Sequence, residues 1–371
     1  MNTTKSWKHS SKNSKAASSE SAQEKALNLF AETMIEKIES IQQDWKKPWF
    51  TDSSMHWPRN LDGRNYSGMN SLMLIMHCEK QGYKYPIFCT FDKVSALNYS
   101  RTKDGLKPLK DAKGNKLPIV TVRKGEKSFP VFLTSFTCVH AKDGSKIKWE
   151  DYKSLSDSEK EEYKVYPKLN VYNVFNIDQT NMQEVRPDMY DKCIADMKSE
   201  KPRSSEKSFR FEPMDKVIQK NLWVCPILPT HGDNAYYSIS KDCIVIPEYE
   251  QFLSGESFYS NLFHEMAHST GSEKRLNRLK PTTFGSAEYA REELVAELTA
   301  ALVAQFYGMD KHIKEDSAAY LKSWLKSLKE EAAFIKTVLF DVKRASAMIT
   351  SCIEEVKNSA KSKLAEASVF F

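Results

Sequence analysis

One pentapeptide of the sequence has residue types and a spacing that are typical of a metal-dependent hydrolase. Residues His264–His268 read H-E-M-A-H and match the pattern H-E-x-x-H. On a helix, His264 and His268 lie on the same side, one turn apart, so that both imidazoles can bind one cation. Glu265 can then reach water held at that ion without being a ligand. We therefore predict His264 and His268 as ligands and Glu265 as the catalytic base.

This chemistry requires that the pentapeptide is helical, and the preceding residues favour a helix. The segment SGESFYSNLF offers a serine as N-cap and an apolar face with Phe258, Leu262 and Phe263. We predict a helix over residues 256–270.

A third ligand can come from a second predicted helix over residues 287–307. Glu293 and Glu297 are four residues apart, on a face that also carries small alanines, which would let another helix approach closely. Glu292 falls about 100° round the helix axis and is predicted to be exposed. The alternative for Glu293 and Glu297 is an ordinary charged helix face.

This arrangement resembles the gluzincin class of metallopeptidases. The resemblance implies that Glu293 completes a Zn²⁺ site and that Glu297 supports a ligand histidine. The sequence lacks the H-x-x-G-x-x-H continuation of metzincins. His231, Tyr236 and Tyr237 precede the first helix and could line the cleft, although aromatic residues on a strand are more often part of a core.

Length and composition indicate a globular protein of two domains. The chain has 371 residues, of which 40% are hydrophobic and 28% charged. It has no long apolar run and no secretory signal, so we expect a cytoplasmic protein without membrane contact. The seven cysteines are scattered, without a C-x-x-C pair, and are expected to be reduced.

The pattern of elements predicts an α+β fold. We expect a disordered tail (1–21), an α+β domain (22–182), a linker rich in Lys, Ser and Pro (183–209), and a mostly helical second domain (210–371). An amphipathic helix is predicted over residues 22–44. Strand-like runs occupy residues 117–123, 128–140, 168–177 and 235–247.

Positive charge is concentrated in the first half. Residues 1–182 hold 29 Lys and Arg against 21 Asp and Glu, whereas the remaining residues hold 26 against 28. Residues 101–130 alone hold nine basic and three acidic side chains. The excess is a plausible footprint for a polyanion. The alternative is a solvated, lysine-rich loop.

Aromatic side chains are interleaved with basic and amide groups at residues 45–50 and 56–70. Such a mixture suits stacking on unpaired bases while Lys or Arg holds the phosphates. The alternative is a small hydrophobic core with a turn at residues 66–68.

Several segments, in this order and spacing, resemble ArdC-type antirestriction proteins. They are residues 57–60, 64–70, 90–91, 122–127, 174–176, 231–233, 246–247, 264–271, 292–297 and 320–326. The resemblance implies a domain that binds single-stranded DNA, joined to a zincin-like (gluzincin) metallopeptidase domain. It also implies a mobile-element protein that helps incoming DNA escape restriction. Residues 101–116 and 141–164 look like insertions.

From these patterns we select ten residues as DNA contacts, called the predicted DNA set below. They are Trp49, Trp57, Arg59, Asn60, Arg64, Tyr66, Asn70, Arg123, Lys124 and Lys127.

Three hypotheses follow from the sequence. The first is a protein that binds single-stranded DNA and uses a zinc site to cleave a protein or peptide partner. The second is a DNA-binding or decoy protein whose zinc is only structural. The third is a peptidase whose basic first half binds a protein substrate, with no nucleic acid involved.

Overall fold

A computed structural model describes most of the chain. The described residues are 21–43, 49, 56–103, 105–197, 209–280, 286–309, 311, 321–330 and 333–368. The predicted tail, apart from Ser21, and residues 198–208 of the predicted linker lie outside these ranges.

The first half combines helices and strands, as predicted. Its helices are α1 (Ala22–Gln43), α2 (Met69–Gln81), α3 (Phe91–Ala96), α4 (Trp149–Lys153), α5 (Asp157–Lys160), α6 (Met182–Val185) and α7 (Pro187–Ile194). Its strands are β1 (Arg59–Asn60), β2 (Ile87–Cys89), β3 (Tyr99–Thr102), β4 (Gly105–Pro108), β5 (Phe129–His140), β6 (Lys146–Ile147) and β7 (Tyr163–Asn176). The mixture confirms the α+β assignment.

Two long strands dominate the main sheet, whose order is β1-β2-β7-β5-β6. β5 pairs antiparallel with β7 over its whole length, from Phe129 opposite Val174 to His140 opposite Tyr163. Strands β3 and β4 form a separate hairpin. Residues 146–160 lie within the second predicted insertion and form β6, α4 and α5 near the far end of the long strands.

The predicted strand at residues 117–123 does not form, and only Val122 makes an isolated bridge, with Thr180. Side chains satisfy the backbone here instead of a neighbouring strand. The amide of Val120 donates to Oδ1 of Asn98, and the amide of Thr121 donates to Oδ1 of Asn181, both at 2.8 Å. Apolar alternation alone could not reveal these asparagine contacts.

The predicted linker begins too early. Residues 182–197 form α6, α7 and a short 3-10 helix, and Met182, Tyr190 and Ile194 lie in one hydrophobic cluster with Ile87 and Val94 of the first half. These residues therefore belong to the first half. The Lys, Ser and Pro content that suggested a linker is concentrated in residues 198–208.

The second half has a small sheet followed by long helices. Its helices are α8 (Glu212–Gln219), α9 (Gly255–Thr270), α10 (Ala287–Phe306), α11 (Leu321–Glu330) and α12 (Ala333–Ser368). Its strands are β8 (Ile227–Thr230), β9 (Tyr236–Ser238) and β10 (Cys243–Pro247), in the order β8-β10-β9. The single strand predicted at residues 235–247 is a hairpin of β9 and β10.

Helices α9 and α10 pack along one another through small residues. Ala296, Ala300 and Ala304 of α10 are fully buried and share a hydrophobic cluster with Met266 and Ala267 of α9. Small side chains let two helix backbones approach closely, as the alanine spacing predicts. This contact brings the acidic face of α10 to the two histidines.

The two halves share one hydrophobic core. A single cluster contains Phe30 of α1 and Leu72 of α2 together with Leu298 of α10, Trp324 of α11 and Val338 of α12. The halves are therefore packed against each other through buried side chains and not merely tethered.

All seven cysteines are free thiols, and five of them are buried. Among the described helices, none combines the length and hydropathy needed to cross a bilayer.

Candidate metal centre

Helix α9 presents both histidines of the H-E-x-x-H motif. The hydroxyl of Ser254 accepts a hydrogen bond from the amide of Ser257 at 3.1 Å, which caps the first turn. His264 and Glu265 are each only 1% exposed, whereas the side chain of His268 is 15% exposed. The motif is thus held inside the molecule, with His268 on its more open side.

Glu293 of α10 faces both histidines. The two Nε2 atoms lie 3.1 Å apart, and the carboxylate oxygens of Glu293 lie 3.5 Å from Nε2 of His264 and 3.5 Å from Nε2 of His268. Ligands held about 2.0–2.1 Å from a tetrahedral ion lie about 3.3 Å from one another. His264, His268 and Glu293 therefore form a candidate metal site.

The carboxylates behind the histidines favour a cation between them. Nδ1 of His264 lies 3.2 Å from Glu297, and Nδ1 of His268 lies 3.0 Å from Glu292. An ionised carboxylate can only accept, so it favours the neutral histidine tautomer that has its proton on Nδ1 and a lone pair on Nε2. Two lone pairs and the Glu293 carboxylate then face one another, an arrangement that a metal ion satisfies.

Glu292 is part of this centre, which corrects the prediction that it is exposed. Its oxygens accept hydrogen bonds from Arg278 at 2.6 and 2.9 Å, in addition to His268. Burial alone would raise the pKa of Glu292, but the bonds from Arg278 and His268 hold it below its ordinary value. The helical angle of about 100° did not exclude contact, because the chain after α9 folds back and covers this side with Arg278.

Glu297 is fully buried and has a cationic partner that the sequence analysis missed. Nζ of Lys311 lies 3.0 Å from Oε2 of Glu297, and Nε1 of Trp49 donates to the same oxygen at 3.3 Å. Burial would raise the pKa of Glu297, but Lys311 and His264 lower it strongly. Glu297 is thereby kept charged and oriented toward His264.

The carboxylates favour a positive charge at His264. Burial alone would lower the pKa of His264, but its contacts with Glu293 and Glu297 raise it to about 9. A proton or a metal ion at the histidine satisfies the same negative surroundings, so the donor set fits a divalent cation.

Trp49 does not lie on a surface where it could stack on a base. Its side chain has no exposed area, its indole bonds Glu297, and its amide donates to the carbonyl of Lys311 at 2.9 Å. It is therefore a buried contact between the first half and the metal centre. Its position in a stretch of basic and aromatic residues gave no sign of this.

Six further members of the predicted DNA set are engaged in the fold. Nε1 of Trp57 donates to the carbonyl of Tyr66, and its ring packs edge-on against Phe306 at 4.8 Å. The other engaged contacts are Arg59 with the carbonyl of Cys193, Asn60 with the amides of Asp62 and Arg64, Tyr66 in the shared core, Asn70 with the backbone of Phe132, and Arg123 with Asp178 and Glu184. Only Arg64, Lys124 and Lys127 of the set are classed as exposed.

The three residues that were predicted to line the cleft differ in exposure and in their contacts. The hydroxyl of Tyr237 donates to Asp242 at 2.7 Å and accepts from Arg275 at 3.0 Å, which makes it structural. Tyr236 is 49% exposed on β9, and His231 is exposed with Nδ1 3.7 Å from Glu248.

Two protein-family models match the chain, one in each half. Residues 24–175 match the N-terminal domain of anti-restriction factor ArdC, and residues 224–338 match the zincin-like metallopeptidase family. The chain thus combines an ArdC-type N-terminal domain with a zincin-like metallopeptidase domain. The candidate metal centre lies within the part that matches the zincin-like family.

Curated relatives carry a similar region. Two DNA primase TraC proteins of Escherichia coli are 27% and 26% identical over 82% and 81% of this chain. The chain spans only 18% and 25% of their own lengths. Uncharacterized protein y4eC of Sinorhizobium fredii (strain NBRC 101917 / NGR234) is 28% identical over 80% of this chain and 82% of its own length.

Solved structures agree on the fold. The antirestriction ArdC protein from R388 plasmid is 23% identical, and its alignment covers 88% of this chain and 98% of that chain with a TM-score of 0.58. The same values hold for its metal-free and its Mn(II)-bound crystal structures.

Proposed function

We propose that this ArdC-type protein binds single-stranded DNA through its first half and cleaves a protein or peptide with a zinc-dependent centre in its second half. By analogy with its family, it would serve a mobile element whose DNA enters a host that restricts it. The observation that carries the peptidase proposal is the convergence of the two Nε2 atoms and the Glu293 carboxylate in the motif that also holds the buried Glu265.

The donor set favours zinc among the common metal ions. Two imidazoles and one carboxylate, with a position left for water or substrate, are typical of catalytic zinc sites in peptidases. When bound, zinc polarises a peptide carbonyl as a Lewis acid and activates water. The Mn(II)-bound structure of the R388 protein shows that a relative with this fold accepts a divalent ion.

The residues around the centre would have different roles. His264, His268 and Glu293 would hold the ion, while Glu297 and Glu292, which lie near Nδ1 of His264 and of His268, would favour a proton on those atoms. Glu265 would accept the proton of the attacking water and return it to the leaving amine. Its burial keeps bulk water away from the carboxylate, which strengthens its electrostatic interactions.

Glu265→Gln tests this proposal, because it removes the base and none of the three ligands. The variant should bind zinc like the wild type and lose hydrolysis by a factor of about 10² to 10⁴, the usual contribution of a general base. Zinc content and cleavage of an unfolded protein substrate would be measured with and without a single-stranded oligonucleotide. Glu288→Gln, an exposed glutamate on α10, is the matched control.

Two outcomes would contradict parts of the proposal. Unchanged cleavage by Glu265→Gln would exclude Glu265 as the base. Full protection of incoming DNA by the inactive variant would favour a structural metal in a DNA-binding protein.

A further inference from the structure

The long ribbon of β5 and β7 has one face that the rest of the described chain leaves open. Opposite residues of an antiparallel pair point to the same side, and side chains alternate along each strand. Ser135 of β5 lies opposite Lys168 of β7, and Leu133 lies opposite Asn170. Every second residue along each strand, counted from these four, therefore points to the same side of the ribbon. We call this surface the ribbon face. Its exposed members are Leu133, Ser135, Thr137, Lys164, Tyr166, Lys168 and Tyr172.

The other side of the ribbon is covered. Phe132 packs edge-on against Phe30 of α1 with ring centroids 5.4 Å apart, and Phe136 stacks on Trp149 of α4 at 4.1 Å. Gln23 of α1 also donates to the carbonyl of Leu169 at 2.8 Å. The ribbon face is free on the opposite side, except at the end nearest the shared core, where Phe129, Val131 and Val174 lie on the same side and are buried.

The ribbon face combines exposed cations with exposed aromatic rings, and the predicted DNA set has no exposed aromatic ring. Tyr166 and Tyr172 are 54% and 45% exposed, and neither ring packs into a hydrophobic cluster of the described residues. Lys164 and Lys168 are exposed, and within the described ranges no carboxylate forms an ion pair with either of them.

We infer that the ribbon face binds an unpaired nucleic-acid strand, with Tyr166 and Tyr172 stacking on bases and Lys164 and Lys168 contacting phosphates. This inference rests on the proposed single-strand binding and assigns it to a surface. The two tyrosines are six positions apart, which is about 20 Å along β7. Different bases of one nucleic-acid strand would therefore stack on them. A nucleic acid fits better than an acidic protein because stacking rings alternate with cations along one line.

The test compares single-strand affinity of the full chain with that of a Tyr166→Ala/Tyr172→Ala variant. Both side chains are exposed, so the variant should keep its unfolding midpoint. The matched control is Tyr99→Ala, which removes a tyrosine of similar exposure, 46%, from β3. The probes are a labelled single-stranded oligonucleotide of mixed sequence and its duplex.

The double variant should lose about tenfold in single-strand affinity for each tyrosine, whereas Tyr99→Ala should bind like the wild type. Binding of the double variant to the duplex should equal that of the wild type, because paired bases are not available for stacking. In a salt series, Lys164→Gln/Lys168→Gln should lower the slope of log K against log salt by about 0.7 per lysine.

The outcomes separate the inference from the proposed function. If the wild type binds the single strand and the tyrosine and lysine variants bind equally well, the ribbon face is wrong and single-strand binding stands. If the wild type binds no single strand, both are wrong, and a protein-binding first half is favoured.

Discussion

The metal centre and the predicted DNA set differ in how well residue type predicted residue position. Along α9 and α10, His264, His268 and Glu293 lie together, as helical spacing requires. In the first half, residues chosen for the same reason of chemical suitability are mostly structural, and Trp49 is buried against the metal centre. A chemical type predicts a position only when a regular element fixes its direction.

The two cases differ in how far along the chain the interactions that position a side chain reach. Two histidines four residues apart on a helix are fixed relative to each other by local hydrogen bonding alone. A tryptophan among lysines has no such constraint, and its burial is decided by residues far along the chain. Trp49 bonds Glu297, which is 248 positions away.

The largest expected effect is the loss of stability when Trp49 is removed. If stability did not change, Trp49 would not be the buried structural residue described above. Trp49→Ala should lower the free energy of unfolding by about 3–5 kcal/mol, because it empties a fully buried site. Trp49→Phe retains most of the packing and should bind single-stranded DNA like the wild type. Denaturant unfolding and oligonucleotide binding measure the two effects. A stable Trp49→Phe protein with weakened DNA binding would show that Trp49 contacts DNA after all.

A smaller effect is expected for zinc affinity when Glu292 is changed, and it tests whether Glu292 orients His268. Glu292→Gln removes the charge that orients His268 and leaves Arg278 without its carboxylate partner. Zinc affinity should fall by a factor of about 10 to 100, as is usual for groups that orient metal ligands. Competition with a chromogenic chelator measures it, with Glu288→Gln as the control. Equal affinities of both variants would mean that Glu292 is only structural.

The sequence predicted the fold class, the helices around the centre and the face of α10 that meets α9. It could not predict Lys311, which lies beyond the end of α10 and carries no motif. Glu292 was misjudged because the position of Arg278 depends on how the chain turns after α9. The shared core could not be predicted either, since each half alone has enough apolar residues for a core. The two halves are joined by packing between distant elements, such as α1 on α11 and α12.

The most direct test of the central claim is zinc binding by the full chain and by Glu293→Ala. The account predicts one tightly held zinc per wild-type chain and a loss in Glu293→Ala that exceeds the effect of Glu292→Gln, because a ligand is removed and not its support. Chelator competition and metal analysis would be combined with circular dichroism to show that the helices persist. Wild-type zinc affinity retained by a folded Glu293→Ala protein would contradict the assignment of the centre.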